Sequence, residues 1–354
     1  MSSVGKIVVV GSVEGQTAQR VQALRYLGYA VLTVSETPAD FAPGITYHPT
    51  FMDRVRHHLG LPKDKLHINQ QLIKLAQTHS FDLLWVEKAL TLKPRTLKLI
   101  RQIQPTIKLA WYSGDDMFAR HNQSYYFRKS LPLYDIVFTT KSYNCNPQEL
   151  PALGAKNVFF VNKSFDRIMH CPIEVGVEDR EKWGAEVGFI GTFEQDRAEK
   201  MLYLAQHGIK VRIWGNGWEK YLNKHPNLKV ENKPVYAENY RKTICATDIN
   251  LCFLRKLNRD LQTDRTMEIP ACGAFMLAER TAEHTALFTE DKEAVYFDAN
   301  NSQELLKKVH DYLQHPQERL QIAAAGRQRC LNSDYSQEGV LKKMLAELEH
   351  VVIQ

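Results

Sequence analysis

Short apolar runs alternate with longer amphipathic stretches along nearly the whole chain. Residues 6–10 (KIVVV) read as a buried strand, 16–27 carry helical apolar spacing that stops at Gly28, and 30–34 form a second strand. The rhythm repeats with a helix over 68–78, a strand over 82–86, a helix from Pro94 to about residue 103, and strands over 107–112 and 135–139. A helix near Met117, and a helix and a further strand within 139–161, complete the first half. Residues 163–186 show no period and carry Pro172, Gly176 and Gly184, so they read as an interdomain segment. The second half resumes with strands over 186–190, 211–214, 228–230, 249–254, 274–277 and 294–297. Helices are expected from about 196, over 240–247, from about 265 to Cys272-Gly273, and over 282–288, 302–313, 316–331 and 336–351. Uninterrupted apolar strands separated by helices are the pattern of parallel sheets covered on both faces. The expected fold is therefore α/β, with two doubly wound, Rossmann-like domains facing a cleft: 1–163, an interdomain segment over 164–186, and 187–335, followed by a helix over 336–354.

Candidate chemistry concentrates at the carboxyl ends of these strands, where open parallel sheets bind ligands. In DLQTDRTMEIPACGAFMLAE, residues 260–279, Thr263 or Asp264 caps a helix beginning near Arg265. Free N–H groups and the positive end of the helix dipole favour a phosphate there, and Arg265 adds a forked, permanently charged donor. Glu268 has the acceptors to bind the two hydroxyls of a ribose; as an alternative, Arg265 and Glu268 form an i,i+3 surface pair. Gly191 and Thr192 follow the first strand of the second half, where a glycine lets backbone approach a ligand. Arg197 either reaches phosphate or is an ordinary residue of a first helical turn. Trp218, after the turn Gly215-Asn216-Gly217, either borders the ligand or packs. Arg255 and Lys256 stand at a strand end, placed for phosphate. In the first half, Asp115 and Asp116 follow a strand and are candidates for binding acceptor hydroxyls or acting as a base, or else Asp115 caps the helix near Met117. The glycines after the first strand do not form G-x-G-x-x-G, so no dinucleotide site is expected.

Composition narrows the class further. With 354 residues the chain is long enough for two domains with real cores, and 44% hydrophobic with 24% charged residues is the balance of a soluble globular protein. A net charge of +6 suits anionic small molecules or a membrane surface and is too weak to argue for nucleic acid. The N-terminal apolar run is too short for a signal peptide. Six cysteines without C-x-x-C spacing read as reduced thiols of a cytoplasmic protein, and the thirteen histidines show no metal-ligand spacing. Residues 41–67 are irregular at first (FAPGITYHP) and then basic: Arg54, Arg56, His57, His58, Lys63 and Lys65. That cluster is either a solvated face or an acceptor or lipid-surface patch.

RTMEIPACGAF resembles the R-T-[FM]-E-[IV]-x-A-x-G-x-F signature of the CgeB-like (spore-protein type) glycosyltransferases, which are related to GT-B transferases with an E-x7-E motif. Phe189, Gly191, Thr192 and Arg197 are similar to that family's F-x-G-[ST]-x(n)-R element, Phe165, Asp166, His170 and Pro172 to its F-D-x-x-x-H-x-P element, and Gly215-x-Gly217-Trp218 to its G-x-G-W turn. The resemblance implies a GT-B glycosyltransferase whose second domain holds a nucleotide-sugar donor, a UDP-sugar, with no tightly bound cofactor and no metal. Its acceptor would be carbohydrate, lipid-linked or protein, bound on the first domain, with peripheral membrane contact as a further expectation, and the terminal helix would cross back to that domain. By the same resemblance Glu268 contacts the donor ribose, Pro234 and Val235 border the base, and Thr263 and Thr266 belong to the donor site. Asp260, separated from Glu268 by seven residues, stands where the E-x7-E pattern has its first Glu, near the donor sugar, and this departure weakens the implied retention of configuration. Two rivals share the fold: a nucleotide-sugar epimerase, and a non-catalytic sugar- or nucleotide-binding protein.

Overall fold

The computed structural model describes residues 5–38 and 50–353. Residues 1–4, residues 39–49 with the stretch FAPGITYHP, residue 354 and the side chains of His57, Val352 and Ile353 lie outside the described residues. The chain divides into two compact units: residues 1–162 with 337–354, and residues 163–336.

The first unit is built on six parallel strands, β1 (Lys6–Gly11), β2 (Ala30–Ser35), β3 (Leu83–Glu87), β4 (Lys108–Ser113), β5 (Ile136–Thr139) and β6 (Val158–Phe160), in the order β2-β1-β3-β4-β5-β6. The inner strands β1, β3, β4 and β5 are apolar on both sides because both faces are covered, whereas the edge strand β2 leaves Leu32 exposed. Val8, Val10, Leu84 and Val86 enter one core with Ile68, Leu72, Leu97 and Ile100, while Ile7, Val9, Leu83 and Trp85 enter the other with Val21 and Leu24. The second core is closed by the terminal helix Gln337–Ile353, which contributes Leu341, Met344 and Leu348. Burying side chains of that size is worth about 1.5–3 kcal/mol each, enough to hold the chain end on this unit. Arg20 on helix Gly15–Tyr26 locks the same corner. It is buried, donates to Glu87 Oε1 at 2.7 Å and Oε2 at 3.2 Å, and reaches Gln337 of the terminal helix at 3.3 Å.

Two helices expected in this unit are absent. No helix begins at Met117: the carboxylate of Asp116 accepts from the Phe118 N–H at 3.1 Å and from Asn144 Nδ2 at 2.9 Å, and the chain turns instead into a short 3-10 segment, Arg120–Asn122. Between β5 and β6 the chain forms two 3-10 turns, Ser142–Cys145 and Pro151–Leu153, because Pro147 and Pro151 deny a helix two of its backbone donors.

The second unit repeats the architecture. Its strands are β7 (Ala185–Ile190), β8 (Val211–Trp214), β9 (Leu228–Val230), β10 (Thr247–Cys252), β11 (Met276–Glu279) and β12 (Val295–Phe297), all parallel, in the order β12-β11-β10-β7-β8-β9. Val187, Phe189, Leu251 and Leu277 face one core; Cys252, Met276 and Ala278 face the other, against Met267 and Ile269 of the helix Asp264–Ala271. Within the aperiodic segment the helix Val177–Trp183 forms ahead of β7. The chain runs outward from β7 through β8 to β9, then returns to β7's other side with β10. That reversal opens a crevice at the carboxyl ends of β7 and β10, the usual ligand position of such sheets.

Candidate functional site

The loop after β7 is held by its neighbours. The Gly191 N–H donates to the Trp214 carbonyl at 2.8 Å, and the Gly191 carbonyl accepts the indole N–H of Trp218 at 2.9 Å. Gly215 comes so close that a Cβ on it would lie 1.9 Å from the Gly191 oxygen, and its φ of +151° is itself unsuited to a side chain. The Gly215-x-Gly217-Trp218 turn therefore has a structural role. Trp218 is fully buried, its ring 6.1 Å from Phe189 and 5.4 Å from Phe193, and it offers no surface to a ligand; the expectation that it contacts one is corrected here. Its part is to fix the position of Gly191. Thr192 is exposed beside it.

Above Phe189, two guanidinium groups meet. Arg197, in the first turn of the helix Gln195–Gln206, and Arg265, in the first turn of Asp264–Ala271, each lie 5.4 Å from the centroid of the Phe189 ring. Arg197 is only 2% exposed, so it is no ordinary surface residue. It bonds Glu194 Oε2 at 3.0 Å and the Leu254 carbonyl at 3.4 Å. Burial holds its guanidinium below the usual arginine range, with Glu194 opposing and Arg265 adding to the effect. The Nε atoms of both arginines are buried without a hydrogen-bond partner among the described residues. Each unmade bond of that kind costs about 1–3 kcal/mol. Of the two, Arg265 keeps part of its surface open and can meet an anion such as a diphosphate, while the buried Arg197 adds its positive charge from behind. The other two basic candidates are committed elsewhere: Arg255 pairs with Glu194 at 3.3 Å and Lys256 with Asp196 at 3.0 Å, both on partly exposed side chains. They form a rim to the arginine pair.

Glu268 sits deeper. It is 7% exposed, Oε2 accepts the hydroxyl proton of Tyr240, and Oε1 faces His170 Nε2 at 3.6 Å. It is no surface partner of Arg265. His170 Nδ1 accepts the Asp166 N–H at 3.0 Å, which leaves the proton on the nitrogen that faces Glu268. Asp166 in turn accepts from the N–H groups of Ile168 and Met169 at 2.9 and 2.7 Å. The F-D-x-x-x-H-x-P element is thus a clamp for the Glu268 helix, and Pro172 packs against Gly273 at its far end. Burial raises the Glu268 carboxyl above the usual range, with His170 opposing.

The start of the same helix is fixed by a relay. Thr263 donates its N–H to Thr266 Oγ1 at 3.0 Å, and Thr266 Oγ1 meets His284 Nε2 at 2.8 Å. His284 Nδ1 lies 2.6 Å from the Glu279 carbonyl, so it must be the donor, which makes Nε2 the acceptor of the threonine hydroxyl. Thr266 is fully buried, and its side chain serves this relay where a donor contact was expected. Asp260 binds Asn258 Nδ2 at 2.8 Å and the Arg255 N–H at 3.4 Å, holding the loop ahead of the helix. Pro234 and the buried Val235 follow β9, next to Lys233, whose carbonyl accepts the Gly215 N–H at 3.0 Å. In the first unit, Asp116 is 1% exposed and serves the turn described above, which leaves Asp115, paired with Lys88, as the accessible carboxylate at the end of β4. Lys88 has a φ of +45°, a strained value for a residue with a side chain.

Tyr240, Glu279 and His284 were not singled out in the sequence. No motif marks them, and only the fold brings them to α-helix 264–271. Among the described residues no group of three or more His, Cys, Asp or Glu could hold a metal ion.

His284 predicts a pH effect. Burial lowers its pKa from 6.5 to about 4, so it folds neutral. The stability it contributes is whole above pH 6.5 and is lost as pH falls toward 4, a loss of about 3 kcal/mol. The buried carboxyls of Glu268 and Glu279, raised above the usual range, act oppositely: their contribution is largest in acid and declines as pH rises. The difference between the native protein and His284→Gln isolates the histidine. The midpoint of denaturation of the variant should fall less steeply between pH 6.5 and 4; equal slopes would remove His284 from this account.

Residues 197–346 match the model of a family described as glycosyl transferase-like. The match begins at Arg197 and includes Arg265 and Glu268. A search of curated protein sequences finds no match. The fold resembles that of a glycosyltransferase from Rickettsia africae (TM-score 0.67, 11% identity, 99% of both chains). It also resembles sucrose-phosphate synthase from Thermosynechococcus elongatus (TM-score 0.62, 11% identity, 98% of this chain and 99% of that one). A third similar structure is Alr3699/HepE from Anabaena in complex with UDP and glucose (TM-score 0.61, 11% identity, 98% of this chain and all of that one). Residues 197–346 are thus glycosyl transferase-like, and the chain carries the fold of the GT-B glycosyltransferases.

Proposed function

We propose that the chain moves a sugar from a UDP-sugar donor to a hydroxyl-bearing acceptor, without a metal. The observation that carries this reading is the pair Arg197 and Arg265, two guanidiniums each 5.4 Å from the centroid of the Phe189 ring, of which Arg265 is partly exposed at the start of its helix. As the bond between sugar and diphosphate breaks, negative charge develops on the leaving UDP. Preorganised cations and the N–H groups at the start of helix 264–271 stabilise that charge more than they stabilise the intact donor. UDP is the nucleotide in the HepE structure, and the same base is our assignment here. Glu268 anchors the ribose. A carboxylate has about four acceptor positions, and Tyr240 and His170 occupy one side each, so they orient the group and leave acceptor capacity for a vicinal diol. Asp115 is our choice for hydrogen-bonding the acceptor hydroxyl. The spacing of Asp260 and Glu268 supports retention of configuration, and proton NMR of the product anomer checks it: an inverted product would reject it.

Thermal-shift measurements with UDP, GDP, CMP, dTDP and their sugar conjugates, with and without EDTA, test the donor site. UDP and a UDP-sugar should raise the midpoint, and EDTA should leave the rise unchanged; a ligand at a hundred times its Kd stabilises by about 2.7 kcal/mol. Glu268→Ala should weaken UDP binding by about 1.5–3 kcal/mol through loss of charge-assisted bonds to the ribose. No rise with any nucleotide would overturn the donor site. Unchanged UDP affinity in a folded Glu268→Ala variant would overturn the ribose assignment alone.

A further inference from the structure

The first unit presents a face that the donor site does not use. Helix Phe51–His58 leaves Phe51 77% and Met52 56% exposed, and Leu59, just beyond it, is 62% exposed. Tyr125, half exposed, is brought to the same place by its N–H, which donates to the Gly60 carbonyl at 2.6 Å. Large apolar side chains left together in water forgo about 1.5–3 kcal/mol each, which is the mark of a surface with a partner.

The same face is cationic. Arg56 and Lys63 line two adjoining hollows of about 400 and 420 Å³, the second reaching Lys93 and Tyr126. Arg128 and Lys129 line a third hollow beside Tyr125. The carboxylates here are engaged: Asp53 binds Lys65 at 2.9 Å, and Asp64 accepts the N–H groups of Ile68 and Asn69 at 2.8 and 3.1 Å, starting the helix Ile68–Thr78. Among the described residues Arg54, Arg56 and Lys63 enter no ion pair, unlike Arg255 and Lys256 at the donor site. Excess positive charge interleaved with exposed Phe, Met and Leu is complementary to one partner in particular. An anionic bilayer offers phosphates to the cations and an acyl boundary to the apolar groups. A soluble phosphate ligand would use the hollows and gain nothing from Phe51 or Leu59. Among the described residues no helix is long and apolar enough to cross a membrane, so the contact is with the surface.

We propose that this face docks the protein on the surface of a bilayer rich in anionic lipid, with Phe51, Met52 and Leu59 entering the headgroup boundary and Arg56 and Lys63 meeting lipid phosphates. The proposal stands apart from the donor-site reading, since it uses none of the same residues.

Vesicle flotation with the full chain tests it. Binding is expected to vesicles of phosphatidylcholine with phosphatidylglycerol and not to phosphatidylcholine alone, and to weaken as salt rises. The charge-reversal pair R56E and K63E should lower the partition coefficient by about tenfold or more. The apolar pair F51S and L59S should lower it comparably while leaving UDP-induced thermal shift and circular dichroism unchanged. No binding to anionic vesicles, or equal binding to neutral ones, overturns the proposal. So does binding that R56E and K63E abolish but F51S and L59S leave intact, since that pattern describes a soluble-anion site, which competition by inorganic pyrophosphate would then reveal.

Discussion

Arg265→Met lowers the rate of sugar transfer by about a hundred- to a thousandfold, the range for removing one preorganised donor from a transition state. Methionine keeps an apolar stem over Phe189, so the change removes charge and hydrogen bonding and spares the packing. Arg197→Met falls in the same range and costs stability as well, because the side chain is buried and bonds Glu194 and the Leu254 carbonyl. Glu194 keeps a cationic partner in Arg255, so it is not stranded by the change. Arg265→Lys recovers only part of the rate, since an ammonium is a point charge without the planar fork. Steady-state release of UDP, measured with an acceptor that supports turnover, reads these effects. The loss belongs mainly in kcat, as the charge that the arginines meet develops as the bond breaks. A wild-type kcat in a folded Arg265→Met protein would take that residue out of the mechanism.

Trp218→Ala lowers stability by about 3–5 kcal/mol, the usual cost of deleting a large aromatic from a core. The ring is fully enclosed by Phe189, Phe193 and Tyr221. Its indole N–H also bridges to the Gly191 carbonyl, so the same change frees the loop next to both arginines. Trp218→Phe separates the two effects. It keeps most of the packing and loses one hydrogen bond, worth about 0.5–1.5 kcal/mol. Chemical denaturation followed by tryptophan fluorescence and circular dichroism measures both variants. UDP affinity per folded molecule should be nearly unchanged in Trp218→Phe; a large drop there would restore Trp218 as a ligand contact.

Much of the fold is legible in the one-dimensional pattern. Strands buried on both faces write themselves as runs such as KIVVV and VRIW, and helices such as 68–78 and 94–103 emerge with the limits that spacing, Pro94 and the flanking residues indicate. These signals are local, because period and turn chemistry depend on neighbours within a few residues. The helix at 264–271 is legible for the same reason, with Thr263 before it and Gly273, at a φ of +68°, after it. The two helices that fail, near Met117 and within 139–155, do so where a buried polar group or a pair of prolines outweighs helical spacing.

The roles of polar residues were less legible. Arg197 in isolation reads equally as a surface residue, and Glu268 as its neighbour's salt-bridge partner. What Arg197 bonds is the Leu254 carbonyl, fifty-seven positions away; what orients Glu268 is Tyr240 and His170, from two other segments. Asp116, Thr266 and Trp218 look like ligand contacts by type and position, yet Asn144, His284 and Gly191 claim their polar atoms. The sequence by itself determined the succession of strands, the parallel α/β class and the strand ends at which chemistry gathers, because backbone propensity and apolar period are local properties. Only the tertiary structure decided which of the polar groups at those ends are spent on holding the fold and which, like the Nε atoms of Arg197 and Arg265, remain unspent, because a hydrogen-bond partner is chosen by distance in space and burial is a property of the assembled core.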